Sequence, residues 1–236
     1  MIENNNPVII SIESSASTCG IAVSQGENLL CEYNIFKANQ HDKMLAVLIE
    51  RSLLDLDLKI NEIDCIAVSS GPGSFTGLRI GAALAKGICY EDKPKLIAVP
   101  TLEAVAFSLL DNAKNCTSNQ ILTLSKSHKN FYYYQIFDLE AKPKSEIIFT
   151  ELEKIKIDDI SQTFICGNFE EDELLNHFKT IEYTETENTV KHRKGIFPGY
   201  IAKLAYKMYL DENFTKSEEF TPIYVQDFLI KTSKKQ

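Results

Sequence analysis

Ser69–Gly81 reads SSGPGSFTGLRIG and sets Gly71, Gly73 and Gly77 within seven residues, with Pro72 between the first two. Between an apolar run and a small-residue helix, such a loop can do one of two things. Its backbone N–H groups can hold a phosphate at the helix start. Alternatively, its missing side chains can let two backbones pass close together. The spacing matches neither standard phosphate signature. The third glycine falls one residue late for GxGxxG, and Gly77-Leu78-Arg79 stands where a Walker A loop has Gly-Lys-Ser/Thr. Pro72 also withdraws one N–H from any anion cradle. Both readings stay open at this point.

The second candidate is Ser11–Ser24, SIESSASTCGIAVS: extended residues, an acid, a hydroxyl-rich turn and a second extended run. Glu13 supplies the acid, and Ser14, Ser15 and Ser17 the hydroxyls. In sugar-kinase and actin-like folds a hairpin of this make-up cradles nucleotide phosphates. Glu13, Ser14, Ser15, Gly71 and Gly73 are therefore the candidate nucleotide or anion site. The turn Glu13–Thr18 holds no glycine, so an ordinary serine-rich turn is the competing reading. Other chemistry finds no footing. His41, His128, His177 and His192 show no helical ligand spacing, and the six cysteines form no CxxC pair. Most of those cysteines sit in apolar runs and read as reduced, buried thiols. No nucleophile–base set can be picked out.

The elements that would hold these residues follow from periodicity. Val8–Ser11, GIAVSQG and NLLCEYNIF read as three strands of a meander. His41–Leu58 reads as a helix, DCIAVSS as a buried strand and Leu78–Tyr90 as a second helix. KLIAVPT is a further strand, followed by a helix over Leu102–Asn112. QILTLSKSHKNFYYYQIFDL, SEIIFTELE and TFICGN repeat the strand pattern, PGYIAKLAYKMYLD is a helix with Pro198 at its start, and TPIYVQDF is extended. The order predicts an α/β fold of two related halves, each a mixed sheet flanked by helices. The division falls at residues 1–107 and 108–236, with the seam near Phe107–Ser118 and the second half degenerate.

Two of these helices carry more apolar or small surface than one buried stripe requires. Periodicity leaves two readings: internal core, or a face that docks a partner. The docking reading takes in His41, Met44, Leu45 and Leu48 from the first helix. From the loop and second helix it takes in Ser74, Phe75, Thr76, Gly77, Arg79, Ile80, Gly81 and Leu84.

Composition bounds the function. The chain has 236 residues and a formal net charge of −8. KHRK at Lys191–Lys194 reads as a solvated loop and KTSKK at Lys231–Lys235 as a solvated tail, so the chain does not read as an autonomous RNA binder. No apolar run approaches the roughly 20 residues that span a bilayer. MIENNNPVII lacks the pattern of an export signal. The expectation is a cytoplasmic protein that engages no membrane.

Taken together, IISIESSASTCGIAV, HDKMLAVLIERSL, DCIAVSSGPGSFTGLRIGAALAKGICY and LIAVPTLEAVA closely resemble the TsaB (YeaZ) family. The resemblance is continuous over 8–107 and patchy beyond, where PGYIAKLA and TPIYV fall in suitable places. It implies an actin-like, sugar-kinase-like fold of two subdomains. It also implies a non-catalytic subunit that binds a TsaD-type paralogue of the same fold. With a TsaE-type ATPase and tRNA, that assembly transfers a threonylcarbamoyl group from threonylcarbamoyl-AMP to the adenosine beside the anticodon of tRNAs reading ANN codons. ATP and the metal ion are expected on the partner subunits, with no cofactor on this chain alone, and a homodimer is expected at high concentration. TsaD enzymes carry their metal on a His-x-x-x-His pair, and Thr101 and Val105 occupy the matching positions here. The resemblance has three departures: Glu13 stands for the usual Asp, Ser125-Lys126 for an Asp-Ala-Arg start, and Gln226 for an arginine. The alternative expectation is an ATP-dependent transferase or kinase-like enzyme of the same fold.

Overall fold

The structure, a computed structural model, describes residues 6–37, 39–177 and 195–225. Runs of β-branched and apolar residues broken at the serine turn and at Gly26 (φ +59°) fold into an antiparallel meander: Val8–Glu13 (β1), Cys19–Gln25 (β2) and Asn28–Ile35 (β3). Cys65–Gly71 (β4) pairs parallel with β1, Ile9 opposite Cys65, and Lys95–Pro100 (β5) pairs parallel with β4. The sheet order is β3-β2-β1-β4-β5.

Side chains alternate across the central strands, so these strands bury both faces. Ile10, Ile12, Ile66 and Val68 meet the helices His41–Asp55 (α1) and Phe75–Ile88 (α2) through Leu45, Leu48, Ala82 and Ala85. Ile9, Cys65, Ala67 and Val99 face the other way. They pack on Ala104 of Thr101–Ser108 (α3) and, beyond the short helix Leu110–Asn115 (α4), on a helix from the end of the chain.

The second sheet repeats the meander with Gln120–Lys126 (β6), Phe131–Phe137 (β7) and Ile148–Glu151 (β8), and Thr163–Asn168 (β9) runs parallel to β6. Its order, β8-β7-β6-β9, matches that of the first sheet without a fifth strand among the described residues. Glu171–His177 (α5) follows β9. Helix α3 joins the halves. Its Ala104 faces the first sheet, and Leu102, Val105 and Ala106 face Ile121, Phe137 and Phe164 of the second.

Three expectations are corrected. The second helix begins at Phe75 rather than Leu78, because Ser74 caps it: Ser74 Oγ accepts from Gly77 N–H at 3.2 Å. The helix expected over Leu102–Asn112 is two helices, α3 and α4, with the break at Leu109. Finally, the stretch from Pro198 does not stay with the second half. Pro198–Leu210 (α6) lays Ile201, Leu204 and Ala205 on the first sheet, Thr215 bridges Leu96, and Phe220 enters the core beneath α1 and α2. Lys191–Lys194, Lys231–Lys235 and Gln226 lie outside the described residues.

Candidate functional site

The turn after β1 and the loop after β4 lie against each other. Glu13, at the end of β1, is fully buried. Its Oε1 accepts from Ser15 N–H at 2.6 Å and from Ser15 O–H at 2.5 Å, while Oε2 has no partner among the described residues. Burial pushes the carboxyl up to about 7, against the opposing pull of the two Ser15 hydrogen bonds. Ser14 N–H donates to Ser69 Oγ at 3.1 Å, tying the turn to β4.

The glycine row faces this turn. A Cβ on Gly73 would lie 2.2 Å from the Ser15 carbonyl oxygen, on Gly77 2.1 Å from that of Ser14, and on Gly81 2.2 Å from Ser14 Oγ. Gly71 sits at φ +107°, and its N–H donates to Thr101 Oγ1 at 3.1 Å. Ser74 N–H donates to the Ser15 carbonyl at 2.7 Å. Of the two chemistries open to the loop, close backbone approach is therefore present within the chain itself. The candidate anion residues Glu13, Ser14, Ser15, Gly71 and Gly73 do come together. In that cluster the N–H groups of Ser15, Ser74, Gly77 and Gly71 already have acceptors.

The docking set separates into interior and surface. Leu45 and Leu48 are buried against the first sheet, Gly77 and Gly81 are buried under the serine turn, and His41 is 8% exposed with Nε2 3.1 Å from the Ala16 carbonyl. These five are corrected: their excess apolar or small surface is used by the core and the turn. Ser74, Thr76 and Arg79 are exposed, and Met44, Phe75, Ile80 and Leu84 are half-buried. The docking set left out Val47, which belongs to the apolar excess of that helix, and Leu54; they are 50% and 71% exposed two turns apart on α1. It also missed Tyr224, whose ring lies 5.0 Å from that of Phe75. The Arg79 guanidinium stands 3.7 Å over the Phe75 ring. The spacing of Val47 and Leu54 was a readable signal. The return of Tyr224 to the loop left none.

Beside the serine turn opens a cleft of about 810 Å³. Ser15, Ser17, Lys43 and Ser74 line it from the first half, and Lys126, Ser127, Asn168 and Glu170 from the second. Lys126 Nζ pairs with both Glu173 carboxylate oxygens at 2.8 Å, and the buried Tyr132 O–H donates to Glu173 Oε2 at 2.8 Å. Lys126 and Tyr132 together hold the Glu173 carboxyl below its usual range. Ser125 is buried on β6. Thr101 and Val105 are fully buried, Thr101 bonded to Gly71 and Val105 inside the apolar cluster of α3. Among the described residues no three His, Cys, Asp or Glu side chains gather, and no helix is long and apolar enough to cross a membrane.

Two sheets of matching order, joined by helices and separated by a polar cleft, define an actin-like α/β protein. YeaZ from Pseudomonas aeruginosa has this fold, with a TM-score of 0.73 at 16% identity over 93% of this chain and all of that one. Residues 36–205 match the family model described as TsaD, tRNA N6-adenosine threonylcarbamoyltransferase. The tRNA threonylcarbamoyladenosine biosynthesis protein TsaB of Haemophilus influenzae is 24% identical over 94% of each chain. That of Buchnera aphidicola subsp. Baizongia pistaciae is 33% identical over 53% of this chain and 57% of its own. The chain belongs to the TsaB (YeaZ) branch of this TsaD-type family, whose members are named for tRNA threonylcarbamoyladenosine biosynthesis.

Proposed function

We propose that this chain is a non-catalytic subunit that docks a TsaD-type paralogue and supports its transfer of a threonylcarbamoyl group to the adenosine beside the anticodon of ANN-decoding tRNAs. The observation that carries the reading is the turn into α3. By the family resemblance, Thr101 and Val105 fall where TsaD enzymes carry the His-x-x-x-His pair. Neither side chain is a strong metal ligand, and both are committed inside the fold. Docking is supported by what α1 and α2 leave outside: Val47 and Leu54 on one, Ser74, Thr76 and Arg79 on the other, with Met44, Phe75, Ile80 and Leu84 half-buried between core and surface. A second copy of the chain is the alternative occupant of that face at high concentration. ATP and the metal ion belong, on this reading, to the TsaD-type and TsaE-type partners, tRNA is reached through the complex, and the assembly is cytoplasmic.

The test is reconstitution. The chain alone is expected to turn over no ATP, with or without divalent metal. Adding it to a His-x-x-x-His paralogue, a TsaE-type ATPase, threonylcarbamoyl-AMP and tRNA is expected to raise modified adenosine well above the level without it. The second reading, an ATP-dependent transferase or kinase-like enzyme, is favoured by the polar cleft beside Ser15 and Lys126. Metal-dependent ATP turnover by the chain alone, abolished by a chelator, would establish that reading instead.

A further inference from the structure

A series of contacts leads from the interior end of β1 to the exposed end of α2. Glu13 Oε1 accepts both from the Ser15 N–H and from its hydroxyl. That pair of hydrogen bonds folds the chain back at Ser15 and fixes where its carbonyl points. The carbonyl accepts from Ser74 N–H at 2.7 Å, and Ser74 in turn caps α2 through Gly77 N–H. The series has no slack, because Gly73 and Gly77 rest on the Ser15 and Ser14 carbonyls at distances that admit no Cβ. At one end is an acid with no exposure, and at the other are the exposed Ser74, Thr76 and Arg79.

We propose that Glu13 is a positioning residue for the docking end of α2: through Ser15 and the Ser15–Ser74 backbone bond it sets the register in which Ser74, Thr76 and Arg79 meet a partner. This rests on the docking reading above. Glu13 touches no partner, since it is wholly enclosed. Its part is to hold a turn that α2 sits on, and an uncharged acceptor of the same length does the same work.

The experiment uses the full chain. Amide hydrogen exchange is followed at Ser15, Ser74 and Gly77 in the wild type, Glu13→Gln, Glu13→Ala and Phe137→Leu. Glutamine keeps an acceptor oxygen for Ser15 and alanine removes it. Phe137→Leu loosens the second-half core, where Phe137 is fully buried, and serves as the control for general destabilisation. Ser74 protection is expected to fall at least about tenfold in Glu13→Ala and to stay within about threefold of wild type in Glu13→Gln. It should hold in Phe137→Leu even at an equal drop in melting temperature. Affinity for a TsaD-type paralogue, read by sedimentation, is expected to follow the same order.

Full protection of Ser74 in Glu13→Ala overturns the proposal, as does equal loss in the Phe137→Leu control. If Glu13→Ala does not fold, Glu13→Leu decides. It fills a similar volume without any acceptor for the Ser15 N–H and hydroxyl, and unaltered protection there overturns the proposal too. A wild type that does not associate with the paralogue removes the docking reading, and the amide measurements then judge the relay alone.

Discussion

The buried acid has a pH signature of its own. Folding raises the Glu13 carboxyl from 4.5 to about 7 because burial disfavours its charged form. Between those values the folded chain holds a proton that the unfolded chain has released. Stability therefore falls as pH rises through this window and levels off above it. The full effect is on the order of 3 kcal/mol at about 1.4 kcal/mol per unit. Denaturant titrations at several values from pH 4.5 to pH 8 are expected to show this loss in the wild type and its absence in Glu13→Gln. Glu103 is also raised by burial and acts in the same direction, so the difference between the two proteins isolates Glu13. On the surface, Arg79→Glu gives up a contact with the Phe75 ring that is worth about 0.5–1 kcal/mol at an exposed site. Its melting temperature is expected to change little while binding to the paralogue weakens. A large loss of stability would make Arg79 structural and remove it from the docking face. At this scale the sequence showed which residues are unusual, but not their surroundings. Glu13 and Ser15 are two positions apart and could be read as a pair. That Ser74 lies on Ser15 requires β1 and β4 to be neighbours, and nothing local to either stretch says so.

Element type was legible wherever the period was long and uniform, as in α1 and in the strands of both sheets. It was less so where two local signals conflicted. Gly73 and Pro72 suggested loop as far as Gly77, yet the serine cap starts the helix at Phe75. Nothing in Leu102–Asn112 marks the break at Leu109, because no Gly or Pro stands there. The glycine row of α2 shows the limit most clearly. Spacing four puts Gly77, Gly81 and Ala85 on one side, but spacing does not say whether that side meets another subunit or its own chain. A bulky residue at Gly81 would be expected to spare the monomer if the row faced a partner. With a Cβ there 2.2 Å from Ser14 Oγ and 3.1 Å from Ser14 Cβ, it is expected to disturb the fold instead. Two single-methyl changes on α2 separate these cases. Gly77→Ala drives a Cβ into the Ser14 backbone carbonyl at 2.1 Å, a clash that no side-chain rotation relieves, and is expected to lose about 1–3 kcal/mol or more. Gly87→Ala has nothing within 4 Å and is expected to gain up to about 1 kcal/mol from helix propensity alone. Equal effects of the two changes in urea denaturation would mean that the row is not packed on the turn.

For the whole molecule, the duplicated meander was readable from strand order, but the path of the chain's end was not. A break near residue 107 makes two tidy halves on paper. In the structure the back of the first sheet is covered from the far end of the sequence: Ile201, Leu204 and Ala205 of α6, at most 2% exposed, lie over Ile9, Cys65, Ala67 and Val99. The stretch beyond α6 continues the return. Lys86 Nζ donates to the Phe220 carbonyl at 3.2 Å, and Ile223 N–H donates to the Ser70 carbonyl at 2.7 Å beside the glycine loop. A central strand needs both faces covered, because its apolar residues alternate between them. Residues 1–107 alone would leave one face of β1, β4 and β5 open over apolar side chains. The fragment 1–107 is therefore expected to be collapsed without cooperative unfolding, to bind a hydrophobic dye and to lack dispersed amide resonances. Adding a peptide of residues 195–236 is expected to restore dispersion, since it carries α6 and the strap to Ser70. In the intact chain, Leu204→Ala is expected to cost about 2–5 kcal/mol, the range for a leucine removed from a packed interior. A sharp, two-state urea transition in 1–107 without the peptide would instead show that the first sheet is self-sufficient, and the domain boundary would return to residue 107.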